Sequence, residues 1–112
     1  LGDVYKRQVQ QFANDTQIDA ILITGGTGIA QRDRTYEIVA QLLTQEIPGY
    51  GELFRYLSFK EIGPAAMLSR AQGGLIEKTI VLTMPGSPGA VRLAMEQLIL
   101  PELGHLLQEC RR

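Results

Sequence analysis

Cysteine, histidine and tryptophan are almost missing from this sequence of 112 residues, which has one cysteine, one histidine and no tryptophan. A lone thiol cannot close a disulfide within the chain, and metal sites built from several cysteines or histidines are excluded by count. We therefore interpret Cys110 as incidental and His105 as structural or interfacial.

The sequence also lacks an excess of charge of one sign and a long apolar run. Eleven lysines and arginines nearly balance twelve aspartates and glutamates, so no basic field would attract nucleic acid or an anionic membrane. The apolar runs are far shorter than the roughly 20 residues that cross a bilayer, and no charged-then-apolar signal segment precedes them. We expect a cytoplasmic protein with no nucleic-acid or membrane partner.

The composition that remains is that of a folded domain. Hydrophobic residues make up 45% and charged residues 21% of the chain, which is close to the average for globular proteins. A chain of 112 residues is enough for one small domain or part of one. Position 1 is Leu and not Met, so we expect residues 1–112 to form one partial domain that lacks its N-terminal portion.

Two short apolar runs are typical of strands that are buried on both faces of a parallel sheet. They cover Asp19–Thr24 and Thr79–Met84, and each leads directly into a glycine-rich turn. Apolar residues at helical spacing surround both runs, which predicts an α/β fold with parallel strands and helices on both sheet faces. Two strands are few for such a sheet, in agreement with a missing N-terminal portion.

Threonine, proline and glycine set the expected limits of the helices. Thr35 is expected to cap a helix that ends at Pro48-Gly49. A later segment is expected to begin at Pro64 and to end at Gly73-Gly74. Pro101 is expected to end the helix that contains Val91 to Ile99, before a short last helix. The apolar residues near this last helix predict self-association, because a small domain has little room to bury them all. They are Leu98, Ile99, Leu103, Leu106 and Leu107.

Both glycine turns are candidates for binding an anion. The first contains Gly25, Gly26, Thr27 and Gly28, and the second contains Pro85, Gly86 and Ser87. Glycine lets successive backbone N–H groups converge on one point, and turns at the carboxyl ends of parallel strands face one crevice. Neither turn is a Walker A loop or a Gly-x-Gly-x-x-Gly motif. The alternative is that the glycines only allow a sharp exit from each strand.

Three side chains are further candidates, each with a plain structural alternative. Asp33 either holds Mg²⁺ against phosphate oxygens or caps the helix near Thr35. Arg70, next to Ser69, either binds a phosphate or compensates a helix dipole. Glu52 either accepts a hydrogen bond from a ring-shaped ligand or caps the helix that follows.

Four blocks of the sequence together resemble one family, the MoaB/Mog molybdenum cofactor biosynthesis proteins. They are Ile23-Thr24-Gly25-Gly26-Thr27-Gly28 followed by Arg32-Asp33, then Ile47-Pro48-Gly49-Tyr50-Gly51-Glu52, then Leu68-Ser69-Arg70, and then Met84-Pro85-Gly86-Ser87. The resemblance extends from about Val9 to Glu109, and the order of the four blocks makes it specific.

The resemblance implies a three-layer α/β/α domain with a mostly parallel sheet, assembled as a trimer or hexamer. It implies an enzyme that adenylylates molybdopterin with Mg-ATP, releases pyrophosphate and passes AMP-molybdopterin to a molybdate-inserting partner of the MoeA type. The residues implied for the phosphate and nucleotide site are Gly25, Gly26, Thr27, Gly28, Pro85, Gly86 and Ser87. The implied catalytic and magnesium-binding residue is Asp33, and those around the pterin are Glu52, Ser69 and Arg70.

The resemblance leaves a second function open. A second functional aspartate of active relatives would fall before Leu1. The segment from Pro48 through Phe59, with Glu61-Ile62-Gly63, is closer in sequence to the MoaB branch than to Mog. Some proteins of the MoaB branch bind without catalysing. A non-catalytic pterin-binding protein is therefore the alternative expectation.

Overall fold

The structure, a computed structural model, describes residues 2–112 apart from the side chain of residue 3. The strands are β1 (Ala20–Thr24), β2 (Gln45–Glu46), β3 (Gly73–Ile76) and β4 (Thr79–Met84). The α-helices are α1 (Gly2–Asn14), α2 (Thr35–Leu42), α3 (Pro48–Ile62), α4 (Pro88–Ala94) and α5 (Leu100–Cys110). A 3₁₀ segment covers Gly63–Leu68, and a π-helical segment, Met95–Ile99, joins α4 to α5. Within the part of the chain that is described, every helix is too short or too polar to cross a membrane.

The four strands form one sheet in the order β1-β4-β3-β2. The two strands predicted from the sequence, β1 and β4, pair in parallel with Ala20 opposite Ile80 and Thr24 opposite Met84. Strand β3 is antiparallel to β4 and to β2, so three of the four strands point the same way. The expected α/β fold with a mostly parallel sheet is confirmed, although the sheet is mixed.

Strand β4 carries a core on each of its faces. Ile80, Leu82 and Met84 lie in the larger core with residues of α3, α4 and the π segment. Val81 points to the opposite face, where it packs with Val9 of α1 and Val39 of α2. Side chains that alternate along a strand explain how one strand supports both cores. Helices therefore cover both faces of the sheet, as in the expected three-layer domain.

The expected limits of the helix that begins at Thr35 were wrong at both ends. Arg34 occupies the N-cap position without a side-chain capping bond, and Thr35 is the first helical residue. The helix ends at Leu42, because Leu43 is extended, and Pro48 instead begins α3. Proline suits the first turn of a helix as well as its end, since the N–H it lacks has no partner there.

The Gly73-Gly74 pair is not the end of a helical segment but the beginning of strand β3. A Cβ on Gly73 would lie 2.8 Å from Cδ2 of Leu82, and one on Gly74 would lie 2.5 Å from the carbonyl oxygen of Gln45. Glycine is used here because neighbouring groups approach the backbone closely, which is a known role of glycine in strands.

Pro101 does not separate the last two helices either. The Leu100 N–H donates to the carbonyl of Met95, a π-helical hydrogen bond that lets the helix continue into α5. Ile99 is buried in the larger core, and the other apolar residues named for self-association pack against it. These leucines nevertheless stay partly exposed, so self-association remains a prediction.

Tyr50 joins α3 to β4 through a hydrogen bond of its hydroxyl group. Its hydroxyl donates to the Thr83 carbonyl at 2.9 Å, and the residue is 8% exposed. Tyr50→Phe is expected to lower the free energy of unfolding at neutral pH by about 1 kcal/mol, because a buried acceptor loses its donor. Burial raises the pKa of Tyr50 far above its usual value, so the wild type is expected to lose stability as pH rises above about 10. The variant should lose less over that range.

Tyr56→Phe is the matched control, since Tyr56 lies on the same helix and is 57% exposed. Its stability should stay within about 0.5 kcal/mol of the wild type. Urea unfolding at pH 7 and at alkaline pH measures both variants. Equal losses for the two variants would contradict a specific contribution of the Tyr50 hydroxyl.

Candidate functional site

The two glycine turns lie side by side at the carboxyl ends of β1 and β4. The Gly25 N–H donates to the carbonyl of Met84 at 2.8 Å. A Cβ on Gly86 would lie 3.5 Å from the Cα of Gly25. The parallel pairing of the strands therefore brings the turns together, as the sequence analysis expected.

Gly26 has a conformation that other residues adopt poorly. Its φ is +69°, and that of Gly25 is +92°. The Gly26 carbonyl accepts the Thr35 N–H at 3.0 Å, and a Cβ on Gly26 would overlap the Thr35 hydroxyl. The turn is thus packed against the first residue of α2, and the fold requires glycine at position 26.

Several backbone donors of the two turns have no acceptor within residues 2–112. The N–H groups of Gly26, Gly28 and Gly86 make no hydrogen bond there. Gly86 is exposed, whereas Gly26 and Gly28 are half-buried. Unpaired backbone N–H groups on two adjacent turns are suited to an anion.

Two side chains of the turns, those of Thr27 and Ser87, have structural roles. The Thr27 side chain is buried, and the carbonyl of Thr27 accepts the Arg70 N–H at 2.7 Å. Ser87 is the N-cap of α4, where its hydroxyl accepts the Ala90 N–H at 3.3 Å. These side chains hold the turns in place, and their backbones line the same edge of the sheet as the glycines.

Asp33 lies in the loop between the first turn and α2. Its N–H donates to the Ala30 carbonyl at 2.8 Å. One carboxylate oxygen would lie 2.8 Å from a Cβ on Gly28, so the carboxylate lies close to the backbone of the first turn. The carboxylate accepts no hydrogen bond from residues 2–112 and lines an open hollow of about 300 Å³. Asp33 does not cap α2, because the N-cap is Arg34.

Arg70 reaches the same loop but faces the protein. Its Nε and Nη2 donate to the Gly28 carbonyl at 2.9 and 2.7 Å, and Nη2 also donates to the Asp33 carbonyl at 3.0 Å. Both terminal nitrogens contact the Glu37 carboxylate. The guanidinium also lies 5.0 Å from the centre of the Tyr36 ring.

Glu52 and Ser69 lie in a neighbouring region, outside the hollow that contains Asp33. Glu52 is exposed on α3 and lines a cleft of about 170 Å³. Arg55 of the same cleft donates to the carbonyls of Ser69 and Ala71 at 3.4 and 2.9 Å. The Ser69 hydroxyl accepts the Ala71 N–H at 3.3 Å. Tyr36 lines this cleft, and its partner Arg70 lines the Asp33 hollow.

Comparison with known proteins identifies the family of the chain. The family described as "Probable molybdopterin binding domain" matches residues 1–105. The chain belongs to this family.

Curated relatives place it among the MoaB proteins. The chain is 51% identical over 111 residues to molybdenum cofactor biosynthesis protein B of Bacillus subtilis, covering 98% of this chain and 65% of that protein. It is 57% identical over 98 residues to the protein of the same name from Halalkalibacterium halodurans, covering 87% of this chain and 58% of the relative. The chain thus spans somewhat less than two thirds of the length of these relatives.

Solved structures agree with the fold. A crystal structure of molybdenum cofactor biosynthesis protein B superposes with a TM-score of 0.94 at 51% identity, covering 100% of this chain and 70% of that one. The tungsten cofactor synthesizing protein MoaB from Pyrococcus furiosus superposes with a TM-score of 0.78 at 40% identity, covering 84% of this chain and 60% of that one. The expected MoaB/Mog membership and fold are confirmed.

Sequence reasoning missed three side chains that organise this MoaB/Mog site. Arg55 binds the carbonyls before β3, and Tyr36 and Glu37 hold Arg70. Arg55 lies three positions after the second block and was not singled out. Glu37 and Arg70 are 33 positions apart, and no local pattern in the sequence indicates that they meet.

Gly26→Ala tests how tightly the first turn is packed. The change is expected to lower the free energy of unfolding by more than about 1 kcal/mol, because it adds a Cβ at positive φ where the Thr35 hydroxyl already lies. Gly104→Ala is the control, since a Cβ at Gly104 meets nothing within 4 Å in the middle of α5. That variant should be neutral or up to about 1 kcal/mol more stable. Thermal unfolding compares the two, and a Gly26→Ala protein as stable as the wild type would contradict the packing described.

Proposed function

We propose that this protein acts in molybdenum cofactor biosynthesis by adenylylating molybdopterin with Mg-ATP. The observation that carries the proposal is the contact between two glycine turns with unpaired N–H groups, with the Asp33 carboxylate beside the first of them. The MoaB relatives support the pathway. The reaction itself is inferred from the site and from the family resemblance.

In the proposed reaction, a terminal phosphate oxygen of molybdopterin attacks the α-phosphorus of ATP. The bond from that phosphorus to the β-phosphate bridging oxygen breaks, and pyrophosphate leaves. Such a transfer depends mainly on alignment and on neutralising charge. The N–H groups of Gly26, Gly28 and Gly86 would bind the phosphate oxygens, and Glu52 and Ser69 would lie towards the pterin.

Asp33 suits a magnesium ion by its chemistry and its surroundings. Its carboxylate is a hard oxygen donor, lines an open hollow and has no partner within residues 2–112. Magnesium in proteins is commonly held by one or two carboxylates together with substrate phosphates and water. When bound, the ion supplies neutralisation of phosphate charge. Asp33 would hold it on the side of the loop that faces Gly28.

A non-catalytic pterin-binding protein is the second candidate. One observation favours it: the other carboxylate that lines the hollow, Glu37, is paired with Arg70, which leaves Asp33 as the single unpaired acid there. Among residues 2–112, no group of three or more acidic, histidine or cysteine side chains is arranged to hold a metal. This candidate predicts pterin binding without ATP turnover.

A homo-oligomer, either a trimer or a hexamer, is also part of the proposal, as is transfer of the product to a MoeA-type partner. The most exposed apolar side chains that favour self-association lie on α3 and the 3₁₀ segment. Five apolar side chains there are at least half exposed, namely Leu53, Tyr56, Phe59, Ile62 and Met67. Exposed apolar area of this extent commonly marks an interface. The mass of the full-length protein in solution tests the assembly.

Asp33→Asn tests the proposed reaction. With full-length protein, molybdopterin and Mg-ATP, formation of AMP-molybdopterin and pyrophosphate is expected to fall by about two orders of magnitude or more, because the variant loses the charge that the metal requires. Pterin binding should persist, since the backbone donors are unchanged. Stability should change by less than about 0.5 kcal/mol, because the carboxylate makes no hydrogen bond in the fold.

Asp15→Asn is the matched control, because Asp15 follows α1 near the opposite end of β1 and its carboxylate serves only a local turn. Its turnover should equal that of the wild type. Product formation that persists in Asp33→Asn would remove Asp33 from the site. Pterin binding by the wild type without any product would reject the enzyme in favour of the binding protein.

A further inference from the structure

Arg70 connects two parts of the chain that are far apart in sequence. It follows the 3₁₀ segment, yet its side chain contacts the loop that carries Asp33 and the first turn of α2. The contacts are the Gly28 and Asp33 carbonyls, the Glu37 carboxylate and the face of the Tyr36 ring. We call this set of contacts the Arg70 brace.

The brace uses the side of the guanidinium that would recognise a phosphate. An arginine binds phosphate or carboxylate with two parallel N–H groups. In this structure both terminal nitrogens contact the Glu37 carboxylate, and Nε and Nη2 share the Gly28 carbonyl. Glu37 therefore stands where a phosphate would bind, and a phosphate would have to displace an anion that is already paired.

The Arg70–Glu37 pair is partly exposed, and its carboxylate is ionised. The side chains of Arg70 and Glu37 are 26% and 43% exposed. The hydrogen bond from Arg70 lowers the pKa of Glu37 below its usual value, which keeps the carboxylate ionised at neutral pH. Charge-assisted hydrogen bonds to two loop carbonyls are stronger than neutral ones. The loop from Gly28 to Asp33 is thus held at both of its ends by one side chain.

We propose that Arg70 and Glu37 are positioning residues that hold the loop of Asp33, and that Arg70 does not bind the substrate. The inference rests on the proposed role of Asp33 and changes the role that the resemblance implied for Arg70. The brace fixes the two carbonyls that flank the loop, so the Asp33 carboxylate is kept beside Gly28. Glu37 acts on the Asp33 loop only through its contact with Arg70.

The first measurement is amide hydrogen exchange, followed by NMR on the full-length protein without ligand. The N–H groups of Asp33, Thr35 and Arg70 donate to carbonyls of the loop and turn. Glu37→Gln and Arg70→Lys should each speed exchange at these amides by about tenfold or more, because each variant breaks the brace. The double variant should exchange no faster than the faster single variant, as expected for residues that act as a unit. Exchange at Ile80 and Thr83 of β4 should stay unchanged.

Glu96→Gln is the matched control, because Glu96 is exposed on the π segment and remote from the loop. It should leave exchange at the three loop amides unchanged. Wild-type exchange at those amides in both Glu37→Gln and Arg70→Lys would overturn the brace, whatever the protein binds. This measurement needs neither pterin nor ATP, so its failure is distinct from failure of the proposed function.

The second measurement separates positioning from substrate binding. If Arg70 positions Asp33, both variants should lower kcat by roughly 10-fold to 100-fold, the cost of misplacing a reacting group, with KM for molybdopterin within about twofold of the wild type. If Arg70 bound the phosphate, Glu37→Gln would release its guanidinium and lower KM, whereas Arg70→Lys would raise it. Opposite changes in KM for the two variants would therefore overturn the proposal.

Discussion

The parallel, in-register pairing of β1 with β4 is the constraint on which the rest of the site depends. Because Thr24 lies opposite Met84, both strands end at the same level and both glycine turns leave the sheet together. A slip of one residue would turn every side chain of the moved strand to the other face. Val81 would then point into the larger core, and its buried neighbours on β4 would point into the other one. Because the two cores differ in composition, burial on both faces of the sheet fixes the register. The position of the anion donors is thus a consequence of hydrophobic packing.

The turns place backbone donors, but they do not by themselves place Asp33. The loop that carries it runs over the protein surface and is held at Gly28 and Asp33 by a side chain that follows the 3₁₀ segment. Rigid strands thus determine where the phosphates would bind, and an ion pair determines where the carboxylate lies. The ion pair adds little to the free energy of unfolding, because half-exposed ion pairs contribute little to stability. Substitutions at Glu37 should therefore affect function more than folding.

The strands β1 and β4 could be predicted from the sequence because each is a short apolar run that ends at a glycine turn. Strand β2 could not, since it has two residues, and β3 begins with Gly73-Gly74, which also mark turns. Pro48 was assigned to the wrong helix because proline is compatible with both a helix end and a helix start. The contact between the two glycine turns could be predicted, because parallel strands end at the same edge of the sheet. The partners of Arg70 could not be predicted, because they depend on tertiary contacts that local patterns do not record.

The central claim is that the two glycine turns form a single phosphate-binding site. The most direct measurement is a titration of the ¹⁵N-labelled full-length protein with Mg-ATP, followed through its backbone amide signals. The amides of Gly26, Gly28 and Gly86 should shift together with one apparent Kd, because they line the same edge of the sheet. Shifts confined to the cleft around Glu52 and Arg55, with the glycine amides unmoved, would contradict the claim.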